Sequence, residues 1–347
     1  MRDRRVTWLI VIGVIASAVG IAIGLAINWF PTPASTQAGK IDTLYDVLIV
    51  ASVPMFVIVA TVVIGSVVLF RMRPGQENQD GPAIHGNTRL EVVWTVLPVM
   101  LIAGLCTYAY IVLRETEKKP AAASAATREL KIGVLGQQFA WTFTYPPDVT
   151  GGKPLSTPEL YLPVNRSVQF QVRAADVLHD FWVPAFREKI DAVPGITTRY
   201  RVTPTRLGTY QVVCAELCGL GHATMRSAVH VLSATAWQAW LKKATKPAVA
   251  ANAGPAQQAA AGKQLFASNG CGGCHTLADA GATGTVGPNL NKFLKGKAPA
   301  FIRTSIVDPN AYIEKGFAGG IMPQNFGKIL TPAEINALVA YLKEVTR

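Results

Sequence analysis

The stretch Cys214-Ala215-Glu216-Leu217-Cys218-Gly219-Leu220-Gly221-His222-Ala223-Thr224-Met225 decides how this chain is read. It offers two thiols, an imidazole and a thioether in one loop, and His179 upstream adds a second imidazole. A pair of histidines, a cysteine and a weak methionine is the ligand set of copper electron-transfer sites. The second cysteine allows two thiolates to face one another and bridge two coppers, with the backbone carbonyl of Glu216 between them as an oxygen donor. A Cys-x3-Cys disulfide, or a structural zinc held by two Cys and two His, are the competing readings. Structural zinc, however, has no need of a thioether three residues beyond the histidine. His230 fits no ligand position and reads as a packed or surface histidine.

Working outward toward the C-terminus, Cys271-Gly272-Gly273-Cys274-His275 has the Cys-x2-Cys-His spacing of covalent haem attachment, with His275 as the axial iron ligand. Met322, in Gly320-Ile321-Met322-Pro323, is the expected sixth ligand. A thioredoxin-like dithiol would need a surrounding βαβ pattern and a zinc site a second cysteine pair, and neither is present. Two redox metal sites in one chain imply an electron conduit. Four of the five cysteines are thereby used, and Cys106, inside an apolar segment, reads as a small buried hydrophobe.

Toward the N-terminus, residues 6–30, 44–70 and 92–113 each approach or exceed the roughly 20 apolar residues that cross a bilayer. Arg2, Arg4 and Arg5 precede the first, and Arg71, Arg73 and Arg89 lie between the second and third. The positive-inside rule then puts both groups in the cytoplasm and everything after the third segment on the outer side, against the pull of Arg114, Lys118 and Lys119. The first segment reads either as an uncleaved helix or as a signal peptide, with small residues near Ala34 and Ala38 that suit a peptidase. The net charge of +12 does not signal nucleic acid, because the Lys and Arg are scattered and form no basic helix.

The predicted organisation is a multidomain membrane protein. Residues 1–38 are a signal peptide or anchor helix, 39–119 a transmembrane α-hairpin, 120–243 an all-β sandwich, 244–260 an Ala/Pro/Gln linker, and 261–347 an all-α module. Predicted strands cover residues 138–145, 167–173, 197–203, 208–214 and 226–232, and a short helix carries Trp237 and Trp240. Thr331-Pro332-Ala333-Glu334 is a strong helix start.

Three stretches resemble cytochrome c oxidase subunit II. They are Asp176-Val177-Leu178-His179-Asp180-Phe181-Trp182-Val183-Pro184, Lys189-Ile190-Asp191-Ala192-Val193-Pro194-Gly195 with the copper loop, and Asn87-Thr88-Arg89-Leu90-Glu91-Val92-Val93-Trp94-Thr95-Val96-Leu97-Pro98. Residues 261–347 are similar to a class I cytochrome c, including Gly287-Pro288-Asn289-Leu290, where the family's proline carbonyl orients the proximal histidine, a role that the resemblance gives to Pro288. The combination looks like the caa-type haem-copper oxidases.

The resemblance implies a cupredoxin holding binuclear copper A through His179, Cys214, Glu216, Cys218, His222 and Met225. It also implies a c-type haem on Cys271, Cys274, His275 and Met322. The Glu216 side chain would reach a magnesium shared with subunit I, and Glu91 would be linked to a proton-uptake channel. Implied partners are subunit I, with haem a and the oxygen-reducing site, subunit III, a bc-type complex or soluble cytochrome c as donor, and the bilayer. The implied setting is a bacterial cell membrane crossed more than once, with the metal domains outside the cytoplasm. In Gly136-Gln137-Gln138-Phe139-Ala140-Trp141 the family usually has tryptophan, its point of electron arrival, at the Phe139 position. Alternatives with the same loop are the small subunit of a copper A nitric oxide reductase and a stand-alone membrane-anchored electron carrier.

Overall fold

A computed structural model describes residues 2–72, 74–75, 83, 85–119, 128–245, 253–324 and 326–347. Arg73 and residues 246–252 of the predicted linker fall outside these residues. The chain divides into two compact units, residues 1–31 with 38–118, and residues 32–37 with 119–347.

The first unit is three helices, α1 (Arg2–Ala26), α2 (Ala38–Phe70) and α3 (Thr88–Thr116). Each contains a span long and apolar enough to cross a membrane, with mean hydropathy 2.7, 2.9 and 2.2 in chain order. Their apolar side chains face outward, Phe56 and Met100 being 76% and 69% exposed, which is tolerable in lipid and not in water. Glycines let α1 approach α2 closely: a Cβ on Gly20 would lie 2.8 Å from Val53 and one on Gly24 2.7 Å from Ile49. Trp29 and Phe30 close edge-on against Tyr45 of α2. Asn87 caps α3 by accepting from the Leu90 N–H, and Glu91 accepts from the Asn87 N–H in return. Cys106 corrects the expectation drawn from its apolar surroundings: it sits exposed on α3, on a face that no helix among the described residues covers.

The second unit begins with a sandwich of two five-stranded sheets. Its strands are β1 (Leu130–Gln137), β2 (Ala140–Tyr145), β3 (Leu155–Thr157), β4 (Leu160–Pro163), β5 (Val168–Ala174), β6 (His179–Trp182), β7 (Lys189–Ala192), β8 (Thr198–Val202), β9 (Gly208–Cys214) and β10 (Arg226–Leu232), with a single turn, α4 (Pro147–Thr150), after β2. One sheet runs β3-β2-β1-β5-β8 and the other β4-β10-β9-β6-β7, with β1–β5 and β4–β10 parallel and the remaining neighbours antiparallel. Alternation sends Trp141, Phe143 and Tyr145 of β2 inward to meet Phe170 and Phe181. Full burial of each such aromatic contributes roughly 1.5–3 kcal/mol. Ser233 caps α5 (Ala234–Ala244), which sets Trp237 and Trp240 against Tyr145.

Residues 32–37, between α1 and α2, complete the sandwich. The Ala34 N–H donates to Ala185 O and the Ala34 carbonyl accepts from the Thr205 N–H. The Thr36 N–H donates to Thr203 O, Ser35 bridges to Pro204, and Ala34 is wholly buried.

The last part of the unit contains α6 (Pro255–Ser268), α7 (Cys271–Cys274), α8 (Leu290–Phe293), α9 (Pro299–Val307), α10 (Phe326–Ile329) and α11 (Pro332–Val345). Helix α6 opens at Pro255, inside the stretch read as linker by composition. Thr331 and Glu334 form the expected capping box at the start of α11. The two longest of these helices cross at Gly262, where a Cβ would lie 2.1 Å from Ala337 O.

Candidate metal centres

The residues expected to hold copper come together because β9 ends at Cys214 beside β6, which starts at His179: the Phe181–Cys214 pair joins the two strands, and the Ala215 N–H donates to Asp180 O. The chain then turns through the loop and returns as β10, closed by the Cys214 N–H donating to Met225 O. His179 Nδ1 lies 3.9 Å from Cys214 Sγ, the two sulfurs are 3.8 Å apart, and His222 Nδ1 is 3.5 Å from Cys218 Sγ. Met225 Sδ is 3.8 Å from Cys218 Sγ, and the Glu216 carbonyl is 3.2 Å from Cys214 Sγ. His179 and Met225 are wholly buried, and both cysteines are nearly so. The Glu216 side chain is exposed.

These spacings test the fit of a metal. A tetrahedral ion about 2.3 Å from sulfur and about 2.0 Å from nitrogen separates two sulfur ligands by about 3.8 Å and a sulfur from a nitrogen by about 3.5 Å. The sulfur pair and the Cys218–His222 pair meet those separations, and the Cys214–His179 pair is only slightly wider. The residues therefore fit a metal without rearrangement, and a buried thioether beside two thiolates favours copper over structural zinc.

The electrostatics prepare one thiolate in advance. Burial pushes the Cys214 thiol up, but hydrogen bonding with His179, the backbone at Asp180 and Glu216, and His222 outweighs it and lowers the thiol to about 7. Burial would likewise lower His179, yet Cys214 and Asp176 hold it above the ordinary histidine range. Cys218 is pushed up to about 12 by burial first and then by the neighbouring Cys214 charge. Binding of a cation relieves that repulsion between the sulfurs.

Asp176 is a residue the sequence reading passed over. Its Oδ1 accepts from His179 Nε2 at 2.9 Å, leaving Nδ1 toward the sulfurs, and its Oδ2 accepts from the Gln138 N–H at 2.8 Å. An Asp three residues before a ligand histidine was the available signal. His230 stays outside the group: it stacks on Tyr161 and bonds Glu159 and Thr209.

In the C-terminal part, Cys271 and Cys274 bound a single helical turn, and His275 follows it in extended conformation. His275 Nδ1 lies 2.9 Å from the Pro288 carbonyl, which fixes Nδ1–H and leaves Nε2 free to ligate. Burial lowers the His275 pKa, so the ring is neutral, and burial raises both thiols, Cys271 to about 12. Gly287 is required next to it, since a Cβ there would fall 2.5 Å from His275 Cε1. These residues line an apolar cleft with Phe266, Leu290, Ile302 and Leu342, and Met322 lines the same cleft. Two cysteines, a neutral histidine, a thioether and apolar walls fit a covalently held haem.

Phe139 belongs to both sites. A Cβ on Gly221 of the copper loop would lie 2.4 Å from the Phe139 ring, so the ring rests directly on that loop. It also lines the cleft that holds Cys271, Cys274 and His275, and Val286 and Ile321 of the C-terminal module pack against the sandwich core to which Phe139 belongs.

The fold and sites thus define a membrane-anchored chain with a sandwich metal domain and a cytochrome-like module. Comparison with known proteins supplies the family. Residues 9–112 match the transmembrane domain of cytochrome c oxidase subunit II, 155–232 its periplasmic domain, and 259–346 cytochrome c. A cytochrome c oxidase subunit 2 of Thermostichus vulcanus is 31% identical, over 70% of this chain and 88% of the relative. One from Alkalihalophilus pseudofirmus is 31% identical, over 87% of each. The solved periplasmic domain of subunit II of the Bradyrhizobium japonicum cytochrome oxidase is 32% identical, covering 34% of this chain and 94% of its own, with a TM-score of 0.32. The chain belongs to the cytochrome c oxidase subunit II family, with a cytochrome c domain fused at its C-terminus, and is a subunit of an oxidoreductase.

Proposed function

We propose that this chain passes electrons from a haem held by its own C-terminal domain to a binuclear copper A centre, and from there to haem a of its partner, subunit I, for oxygen reduction coupled to proton movement. The observation that carries the reading is the placement of Phe139, in contact with the copper loop and lining the haem cleft. The cofactors supply reversible one-electron redox chemistry when bound. What the chain contributes is positional. Burial of His179, Cys214, Cys218 and Met225 excludes water, so a change of charge reorganises little solvent. His179, Cys214, Cys218, His222 and Met225, with the Glu216 carbonyl, would hold two coppers, while Cys271, Cys274, His275 and Met322 would hold the haem, with Pro288 orienting the histidine. Tethering keeps donor and acceptor at high effective concentration.

The membrane reading is multi-pass. The 32–37 connector and residues 128–232 build one sandwich, which supports placing both ends of the α2–α3 hairpin on the side that carries the metals, outside the cytoplasm of a bacterial cell. Exposure of the Glu216 carboxylate agrees with a magnesium shared with subunit I. Glu91 serves first as a helix cap, and its role at a proton-uptake channel rests on the family resemblance. Subunit III completes the proposed assembly, and a bc-type complex or a soluble cytochrome c is its electron source.

Metal and optical analysis of the purified complex tests this. The expected result is two coppers and one covalent haem in this chain, with the copper reduced by the haem after flash reduction. Zinc in place of copper, or no transfer between the two, overturns it.

A further inference from the structure

Gln138 bonds both halves of the copper site. Its side-chain Nε2–H donates to the Cys218 carbonyl at 2.6 Å, and its backbone N–H donates to Asp176 Oδ2, whose other oxygen holds His179. Cys218 lies on the loop after β9 and His179 at the start of β6, while Gln138 comes from the β1–β2 turn of the other sheet. The loop is shaped to receive that turn. Gly219 adopts φ +129, and a Cβ there would lie 2.8 Å from Gln138 Nε2 and 3.3 Å from the Phe139 ring. Gly221 sits against Phe139 in the same way. A side chain at Gly221 would displace the Phe139 ring, and one at Gly219, strained by its positive φ, would displace the Gln138 amide.

We propose that Gln138 is a positioning residue that locks the Cys218 loop, the His179–Asp176 pair and the Phe139 ring into one frame. The geometry of the copper pair and its contact with the haem-side aromatic are then set together. The inference rests on the reading of a copper A centre served by the fused cytochrome. The amide suits this role because it is neutral. It fixes the Cys218 carbonyl without placing a charge beside the thiolates, and its backbone N–H simultaneously satisfies one oxygen of Asp176. Asp176 is thereby held for His179, and neither half of the site can shift without breaking a bond to the same residue.

The test uses the whole oxidase complex carrying Gln138→Leu, which removes the donor, and Gln138→Glu, which keeps the size and replaces the donor with an acceptor. Copper and haem content, the electron-paramagnetic-resonance signature of the copper pair, and the haem-to-copper electron equilibrium are measured for each. Loss of one net hydrogen bond is expected to shift that equilibrium about fivefold. An altered copper spectrum with both metals retained is the accompanying signature. Gln138→Glu should shift both readouts further than Gln138→Leu, because it sets a carboxylate against the Cys218 carbonyl. If either variant loses copper, the other is read at full occupancy, and loss of copper from both with haem retained also supports the assignment. Wild-type spectra and equilibrium in both variants overturn it. A wild-type complex without two coppers fails the underlying copper reading instead, which separates the two failures.

Discussion

Asp176 Oδ1 accepts from His179 Nε2 at 2.9 Å, on the side of the ring away from Cys214. Such partners fix the tautomer and raise the basicity of a metal-binding histidine. Asp176→Ala is therefore expected to weaken copper binding roughly 10–100-fold, measured by chelator competition on the purified complex. Unchanged affinity would mean that the carboxylate serves only the backbone N–H groups of Gln138 and Val177, from which it accepts at 2.8 and 2.7 Å.

A second expectation concerns acid–base behaviour with copper removed and haem retained. Cys214 is lowered to about 7, so it is a neutral thiol below that pH and a thiolate above it, while Cys218 stays protonated until about 12. Thiolate absorbance should rise in one step centred near neutrality and vanish in Cys214→Ser. Copper uptake should speed up over the same interval, because the ligand form is the thiolate. A step that survives in Cys214→Ser defeats the assignment.

The closeness of Gly287 to His275 gives a third. An alanine Cβ would fall 2.5 Å from the imidazole, so Gly287→Ala must displace the ring or the Pro288 carbonyl that holds it. Overpacking of this kind typically costs about 1–3 kcal/mol. We expect covalent haem attachment to continue, with a changed axial-ligand spectrum and earlier unfolding of the haem absorbance in denaturant. An unaltered spectrum contradicts the close approach.

At Gly262 the obstacle is backbone rather than side chain. A Cβ 2.1 Å from Ala337 O cannot be accommodated by a rotamer change, so Gly262→Ala has to separate α6 from α11. The expected loss of about 1–3 kcal/mol or more should appear in the denaturation midpoint of the cytochrome absorbance, leaving the copper spectrum untouched.

Helix α1 supplies a fifth prediction. Gly20 and Gly24 fit it to α2, Trp29 and Phe30 clasp Tyr45, and Ala34 and Ala38, the small residues suited to a peptidase, are both wholly buried. The mature protein should retain α1, which intact-mass measurement of the purified subunit will show. A mature chain beginning near residue 35 or 39 would refute this.

The Cys214–Met225 and Cys271–His275 motifs were legible because each packs particular residue types into a single loop or turn, whereas His179 and Met322 join them from distant parts of the chain. The long-range geometry was less so. The sequence reading found β2, β5, β8, β9 and β10 but passed over β1, β3, β4, β6 and β7, most of them too short to show periodicity. The parallel pairing of β1 with β5 depends on contacts between distant segments that no local pattern encodes. Gln138, at the start of a predicted strand, and Gly219, within the cysteine loop, carried no signal of their own, since their importance comes from meeting one another across the sandwich. Cys106 was misread because an apolar neighbourhood in sequence was equated with enclosure in space, and inside a bilayer the two separate.

The short segment at Ala34–Thr36 has a practical corollary for anyone dissecting this subunit. A fragment trimmed to begin after the third helix would leave Ala185, Thr203 and Thr205 with amide or carbonyl groups deprived of their mates. Such a fragment should fold less firmly than the intact polypeptide and recover when a peptide spanning the missing edge is supplied separately. What a gene map would draw as a hinge between two helices is, in three dimensions, masonry of the sandwich itself.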